Sequence, residues 1–191
     1  MSYKQLEVAL ADRSYSIIIG QHLLAESNLY SSAIKGKRVC IVSDSNVAPL
    51  YLATLKTSLA AYDVDDFILP SGEQHKSLQQ WQALLDQLVT NKHHRDTTLI
   101  ALGGGVVGDL TGFAAACYQR GVDFIQIPTT LLAQVDASVG GKTAVNHAQG
   151  KNLIGAFYQP RLVLIDVDLL VSLPEREYVA GLAEIVKYGC I

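Results

Sequence analysis

The sequence predicts an α/β fold: a mostly parallel sheet with helices on both faces, entered through an N-terminal β-hairpin. Three observations carry this. Short apolar runs, such as Arg38–Ser43 and Thr97–Leu102, alternate with stretches of helical length, the rhythm of strand–helix–strand units. The runs are continuously apolar, as strands covered on both faces are. Small polar and glycine residues gather just after the runs: Ser43–Asn46, Pro70–Glu73, Gly103–Gly105 and Pro128–Thr130. Open α/β sheets bind ligands beyond the carboxyl ends of their strands. The clusters therefore predict one functional rim, although loops are polar in any case.

The elements follow in order. Residues 4–10 and 14–19 read as two strands joined by a turn at Asp12 and Arg13. Residues 38–43 form a strand. A helix spans 46–60, with Asn46 as N-cap and Pro49 in the first turn, where its missing N–H costs nothing. Residues 64–69 form a strand ended by Pro70. Ser77 caps a helix from Leu78 to Asn91 that places Leu84, Leu85, Leu88 and Val89 on one face. Thr97–Leu102 is a strand, 106–118 a helix and Asp123–Ile127 a strand. The segment holding Lys142 and Lys151 reads as a loop. Pro174–Ile191 reads as a helix with Glu175 and Glu177 in its first turn, where the dipole favours acids. It ends on Gly189, Cys190 and Ile191 with no polar tail. That ending suggests a truncated longer protein, against the alternative of a natural domain end.

Composition narrows the function classes. Of 191 residues, 49% are hydrophobic and 17% charged, against about 25% charged in an ordinary domain. A disordered chain is excluded, and heavy burial or a surface awaiting a partner is implied. The net charge is −3 and no long run of like charge occurs, so there is no basic field for nucleic acid. Cys40, Cys117 and Cys190 are odd in number and far apart. That fits a reducing compartment rather than a disulfide framework or a cysteine zinc site. The N-terminus lacks the pattern of a secretory signal. Thr97–Tyr118 has the hydropathy of a membrane span of about 20 residues. Three consecutive glycines and the mid-span Asp109 argue instead for a buried strand, a turn and a buried helix.

Candidate chemistry centres on Gly103–Asp109. Here Gly-x-Gly-x-x-Gly follows a strand and opens a helix. Glycines admit a pyrophosphate to the backbone, and the helix N-terminus offers free N–H donors. Glycine turns are also common in α/β folds. The motif departs from the usual Rossmann arrangement, because it follows a late strand and Pro128–Thr130 stands where a ribose-binding acid would end the next one. Asp44, at the tip of an earlier strand, is the natural substitute. Lys142 and Lys151, among Asn146, Asn152, Gly140, Gly141 and Gly155, read either as a phosphate or carboxylate pocket or as solvated surface lysines. Arg120 is an anion ligand or a surface residue. Glu184 and Lys187 share a helix face and read as a surface ion pair or as a metal ligand with a neighbour. A catalytic divalent site takes three protein ligands. None of the five histidines lies near Glu184 in sequence, and His93 and His94 fit a helix C-terminal cap better.

Together these residues resemble the 3-dehydroquinate synthase family. The resemblance runs through Ser43–Val47, Ser71–Lys76, Gly103–Asp109, Pro128–Thr143, Lys151–Gly155 and Ala180–Gly189. It implies a Rossmann-like nucleotide domain over 1–173. Residues 174–191 would begin a helical metal and substrate domain whose remainder is missing. The implied enzyme is a phosphate-eliminating carbon–oxygen lyase of the shikimate route to chorismate and the aromatic amino acids. It is expected to be cytoplasmic, homodimeric at full length, and without nucleic-acid or membrane partners. It converts 3-deoxy-D-arabino-heptulosonate 7-phosphate to 3-dehydroquinate and phosphate. NAD is used catalytically, with zinc or cobalt as the metal. Transient oxidation at C5, phosphate loss, re-reduction, ring opening and aldol closure would follow in turn.

The resemblance also implies roles. Asp44 would hold the adenosine ribose. Ser71, Gly72, Glu73, Gln74, His75 and Lys76 would line the nucleotide. Gly104, Gly105, Val106, Val107, Gly108 and Asp109 would surround the pyrophosphate. Thr129, Thr130, Lys142 and Lys151 would continue the cofactor site, and Leu169, Leu170, Val171 and Ser172 would close over it. The family often has threonine at the last of these positions; serine keeps the hydroxyl and loses a methyl. Asp136, Lys142, Asn152 and Lys187 would contact substrate, and Arg120 would act across a subunit interface. Glu184 would be one of three metal ligands, the other two being histidines outside this chain. The 191 residues alone are expected to bind NAD weakly and not to turn over. The rivals are a related sugar phosphate cyclase, a polyol dehydrogenase and a stand-alone nucleotide-binding module.

Overall fold

The computed structural model describes residues 3–190. Seven strands form the main sheet: β1 (Tyr3–Val8), β2 (Tyr15–Gly20), β3 (Arg38–Asp44), β4 (Asp63–Leu69), β5 (Thr98–Gly103), β6 (Phe124–Pro128) and β9 (Leu162–Asp166). Their spatial order is β1-β2-β9-β6-β5-β3-β4. The β1–β2 hairpin is antiparallel, with Tyr3 opposite Gly20, and every other pairing is parallel. β7 (Lys142–His147) and β8 (Gly150–Phe157) form a separate antiparallel hairpin. The helices are α1 (Ser27–Ser31), α2 (Ala48–Ser58), α3 (Leu78–Thr90), α4 (Gly105–Cys117) and α5 (Glu175–Cys190).

Strand pleating divides the core. Val39 and Ile41 point to one face and join Leu55 and Leu59 of the α2 region. Cys40 and Val42 point to the other, with Leu84 and Leu88 of α3 and Leu110 and Ala114 of α4. Successive side chains of a strand alternate between faces, so one continuously apolar strand feeds two cores. Burying one such leucine contributes about 2 kcal/mol.

Connectivity positions the rim. From β3 the chain passes through α2 to β4 at the sheet edge. It then returns through α3 to β5 on the other side of β3. The winding direction reverses between β3 and β5, and such a reversal opens a crevice at the strand carboxyl ends. Those ends carry Asp44 and Gly103.

Several sequence expectations change. The Lys142–Lys151 segment is the β7–β8 hairpin, not a loop; Val145, Ile154 and Ala156 pack it on α4. β9 is a strand that the sequence reading does not assign, although Leu162–Ile165 is a short apolar run closed by Asp166, like the strands read elsewhere. Asn46 does not cap α2, which starts at Ala48. Asp44 Oδ1 instead accepts from the backbone N–H of Asn46 (2.8 Å) and Val47 (3.1 Å). Val89 is 65% exposed rather than buried. Ser77 caps α3 as expected, accepting from the N–H of Gln80. His93 caps no helix through its side chain. It is buried, with Nε2 2.9 Å from Asp65 and Nδ1 3.2 Å from Thr97 Oγ1. Thr97–Tyr118 folds as β5 and α4, and no helix among the described residues is long and apolar enough to cross a membrane.

Candidate active site

The glycine turn between β5 and α4 is closely packed from below. A Cβ on Gly104 would lie 3.0 Å from Thr130 Cγ2, and the backbone N–H of Thr129 donates to Gly103 O at 3.0 Å. Gly105 starts α4, so the first N–H groups of that helix face the rim without intrahelical partners. Thr129 Oγ1 is buried and has no hydrogen-bond partner among the described residues. Across the switch point, Asp44 spends Oδ1 on the backbone N–H groups of the turn that leads into α2, which leaves Oδ2 for a ligand. The turn after β4 closes against it, with Ser71 N donating to Ser45 Oγ at 3.1 Å. The short helix Val167–Ser172 borders the same region. Tyr51 of α2 donates to Ser172 Oγ at 2.7 Å, while Val171 is exposed.

The β7–β8 hairpin is stitched to the turn after β4. Lys76 is buried, and its ammonium pairs with Asp109 and donates to Asn152 Oδ1 at 2.6 Å. Burial raises the Asp109 carboxyl above its usual range, with Lys76 opposing the shift. Asn146 Nδ2 donates to Glu73 Oε1 at 2.9 Å, and Lys151 Nζ lies 3.5 Å from the same oxygen.

Asp109, Asp136, Lys142 and Asn152 line one cavity of about 530 Å³ between α4 and the hairpin. Its remaining wall includes Val139, Leu153 and Phe157, all exposed. Asp136 sits in a turn of π-helix, Ala133–Ala137, where one extra residue re-aims a side chain. Tyr188 Oη donates to Asp136 Oδ1 at 2.7 Å and so ties α5 to this turn. Two acids, an amide and a lysine lining one cavity suit a ligand that carries hydroxyl and anionic groups.

Of the expected site residues, Asp44, Ser71–Lys76, Gly104–Asp109, Thr129, Thr130 and Leu169–Ser172 lie at or next to the carboxyl-end rim. Lys151 joins them through Glu73. Asp109 and Lys76 turn toward the hairpin cavity rather than the glycine turn. Arg120 stands apart. It follows α4 and precedes β6, on the side of the sheet where the parallel strands begin, opposite their carboxyl-end rim. Glu184 forms an ion pair with Lys187, the surface-pair alternative. No three His, Cys, Asp or Glu side chains among the described residues come together as a metal cluster. The residues present therefore do not make a metal site. Asn146, named in the sequence only as a neighbour of Lys142 and Lys151, and Tyr188, within the Ala180–Gly189 stretch, were given no role of their own; their partners lie 73 and 52 residues away, a separation that no local pattern marks.

A family profile described as 3-dehydroquinate synthase N-terminal matches residues 66–180. A curated 3-dehydroquinate synthase of Colwellia psychrerythraea is 60% identical over 186 residues, which are 97% of this chain and 52% of that protein. The chain thus spans about half the length of the curated relatives it matches. Among solved structures, 2-deoxy-scyllo-inosose synthase complexed with carbaglucose-6-phosphate, NAD+ and Co2+ superposes with a TM-score of 0.89 at 31% identity, covering 96% of this chain and 51% of that one. The 2-epi-5-epi-valiolone synthase of Streptomyces hygroscopicus, with NAD+ and Zn2+ bound, gives 0.82 at 35% identity over 94% of this chain and 50% of that one. With the profile matching more than half of its residues and the relatives aligning along nearly all of it, this chain belongs to the 3-dehydroquinate synthase family.

Proposed function

We propose that this chain is the nucleotide-binding half of a 3-dehydroquinate synthase that converts 3-deoxy-D-arabino-heptulosonate 7-phosphate to 3-dehydroquinate and phosphate. The observation that carries the reading is one cavity lined by Asp109, Asp136, Lys142 and Asn152 next to a glycine turn at the sheet's switch point. Identity of 60% to curated synthases, against 31–35% to cyclases of other names, favours this substrate over another sugar phosphate.

The rim fits NAD. Gly104 leaves no room for a side chain beside Thr130, and Thr129 Oγ1 is a buried hydroxyl without a partner. Asp44 Oδ2 would accept from a ribose hydroxyl, and the free N–H groups of α4 would face the pyrophosphate. Glu73, Lys151 and Leu169–Ser172 would frame the remaining nucleotide. Bound NAD supplies a reversible hydride acceptor. Lys142 would hold anionic oxygens of the sugar phosphate, Asn152 its hydroxyls, and Asp136, fixed by Tyr188, would accept a hydroxyl proton hydrogen bond. The zinc or cobalt of the relatives finds no complete site in these residues; Glu184 is the one candidate ligand, and no step is assigned to it. In the same reading, 1–173 is the nucleotide domain and 174–191 begins a helical one. That fits α5, which buries only Gly181. Arg120 would serve a partner subunit of a cytoplasmic homodimer.

The test is direct. The full-length protein, given the heptulosonate phosphate and catalytic NAD, releases phosphate without accumulating NADH. The 191-residue chain binds NAD and does not turn over. Net NADH with no phosphate release would mark a dehydrogenase. Phosphate release from a different sugar phosphate alone would mark another cyclase.

A further inference from the structure

Asn146 was given no role of its own in the sequence, yet its backbone N–H and both polar atoms of its side chain bond to expected site residues. Its backbone N–H leaves the hairpin and donates to Lys76 O at 2.8 Å. Its Nδ2 donates to Glu73 Oε1 at 2.9 Å, and its Oδ1 accepts from the backbone N–H of Asn152 at 2.9 Å.

The hairpin makes these bonds necessary. Its ladder runs regularly to Val145 opposite Ile154, then shifts to His147 opposite Gly150. Residues 151–153 are thereby left against Asn146 alone, and Asn152 takes a left-handed backbone, φ +56°. That conformation is uncommon outside glycine, though asparagine tolerates it best. The Asn152 N–H has lost its strand partner, and Asn146 Oδ1 replaces it. The Asn152 side chain completes a ring of contacts by accepting from Lys76 Nζ.

We propose that Asn146 is a positioning residue that couples the nucleotide-side turn Glu73–Lys76 to the substrate-side Asn152. It touches neither ligand. It holds Asn152 in its left-handed pose and, at the same time, aims the Glu73 carboxylate. A side chain with a donor and an acceptor on one short stem is required. Aspartate would keep the acceptor and set a second carboxylate against Glu73; serine is too short to span both. Coupling through a shared group is reciprocal, so a nucleotide that orders Glu73 also orders Asn152. The inference rests on the dinucleotide reading of the rim.

The experiment is calorimetric titration of NAD+ into the 191-residue chain, as wild type, N146A, N146D, E73Q and N146D/E73Q. N146A is expected to weaken binding about 10-fold, the worth of a lost hydrogen bond to a charged group. N146D is expected to weaken it at least as much. In N146D/E73Q a glutamine amide donates to the new carboxylate. The two changes should then be non-additive, the pair binding about 5-fold tighter than the singles predict. General loosening of the fold would give no such recovery. N146D is nearly isosteric and keeps the test decisive if N146A does not fold. Wild-type binding with N146A unchanged, or additive singles, overturns the proposal alone. A wild type that does not bind NAD+ overturns the rim reading and this proposal with it.

Discussion

The ammonium of Lys76 lies between the carboxylate of Asp109 and Oδ1 of Asn152, although these partners are 33 and 76 residues away in sequence. One buried cation thereby joins the turn after β4, the first turns of α4 and the β7–β8 hairpin, the three segments around the candidate cavity.

Replacing Lys76 with methionine leaves Asp109 buried without its counter-charge. Removing one partner of a buried pair costs about 3 kcal/mol, to be read from urea unfolding; K76M/D109L should regain most of it. Burial already places the folded Asp109 carboxyl above its unfolded value, so its charge opposes folding more as pH rises through the carboxylate range. The K76M deficit should be largest at neutral pH and shrink as pH falls toward about 4. A deficit independent of pH would contradict this.

Asp44 separates stability from binding. D44N keeps an oxygen for the turn into α2 and should unfold within a few tenths of a kcal/mol of wild type, whereas D44A should lose about 1 kcal/mol. Both should weaken NAD about 10-fold through the lost carboxylate–ribose bond. Thermal unfolding and calorimetry measure the two effects. Equal NAD affinity in D44N would remove Asp44 from the site.

His93 predicts an acid-sensitive region far from the rim. Burial lowers its pKa, outweighing the upward pull of Asp65 and Asp63, while Arg38 adds to the lowering. The unfolded chain takes up the proton first, near about pH 6.5. Stability is therefore full above that pH and lost as pH falls toward the folded pKa. In H93Q the thermal midpoint should fall less steeply between about pH 7 and 5. An unchanged slope would place the proton uptake elsewhere.

Gly181 is where α5 meets the π-helical turn. A Cβ there would lie 2.6 Å from Leu131 Cβ and 2.8 Å from the Leu132 backbone nitrogen. G181A should cost about 1–3 kcal/mol, as overpacking does. It should also speed amide exchange in α5 and residues 131–137 while leaving β3 and β5 protected. Uniform exchange across the sheet would argue against a local contact.

Much of this molecule could be read before any coordinates. The parallel sheet follows from Val39–Val42 and Leu99–Leu102, because a continuously apolar strand has to be covered on both faces. The rim follows from Asp44, Gly103–Gly105 and Thr129–Thr130, because glycines and short hydroxyls are suited to backbone-close ligands. The helix cap at Ser77 and the acids opening α5 are local chemistry and were equally legible.

What the chain order by itself determined is therefore the class of fold, the place of the glycine turn and the candidate residues on each strand tip. Only the tertiary structure decided that Lys142–Phe157 is a hairpin packed on α4 and that β9 lies between β2 and β6. It alone paired Lys76 with Asp109, made His93 a core residue, and recruited Asn146 and Tyr188. The reason is the range of the forces. Caps, turns and hydrophobic period act within a few residues and leave their mark in the sequence. Buried ion pairs and amide bridges form between segments brought together by the fold, and nothing in either partner's neighbours announces the other.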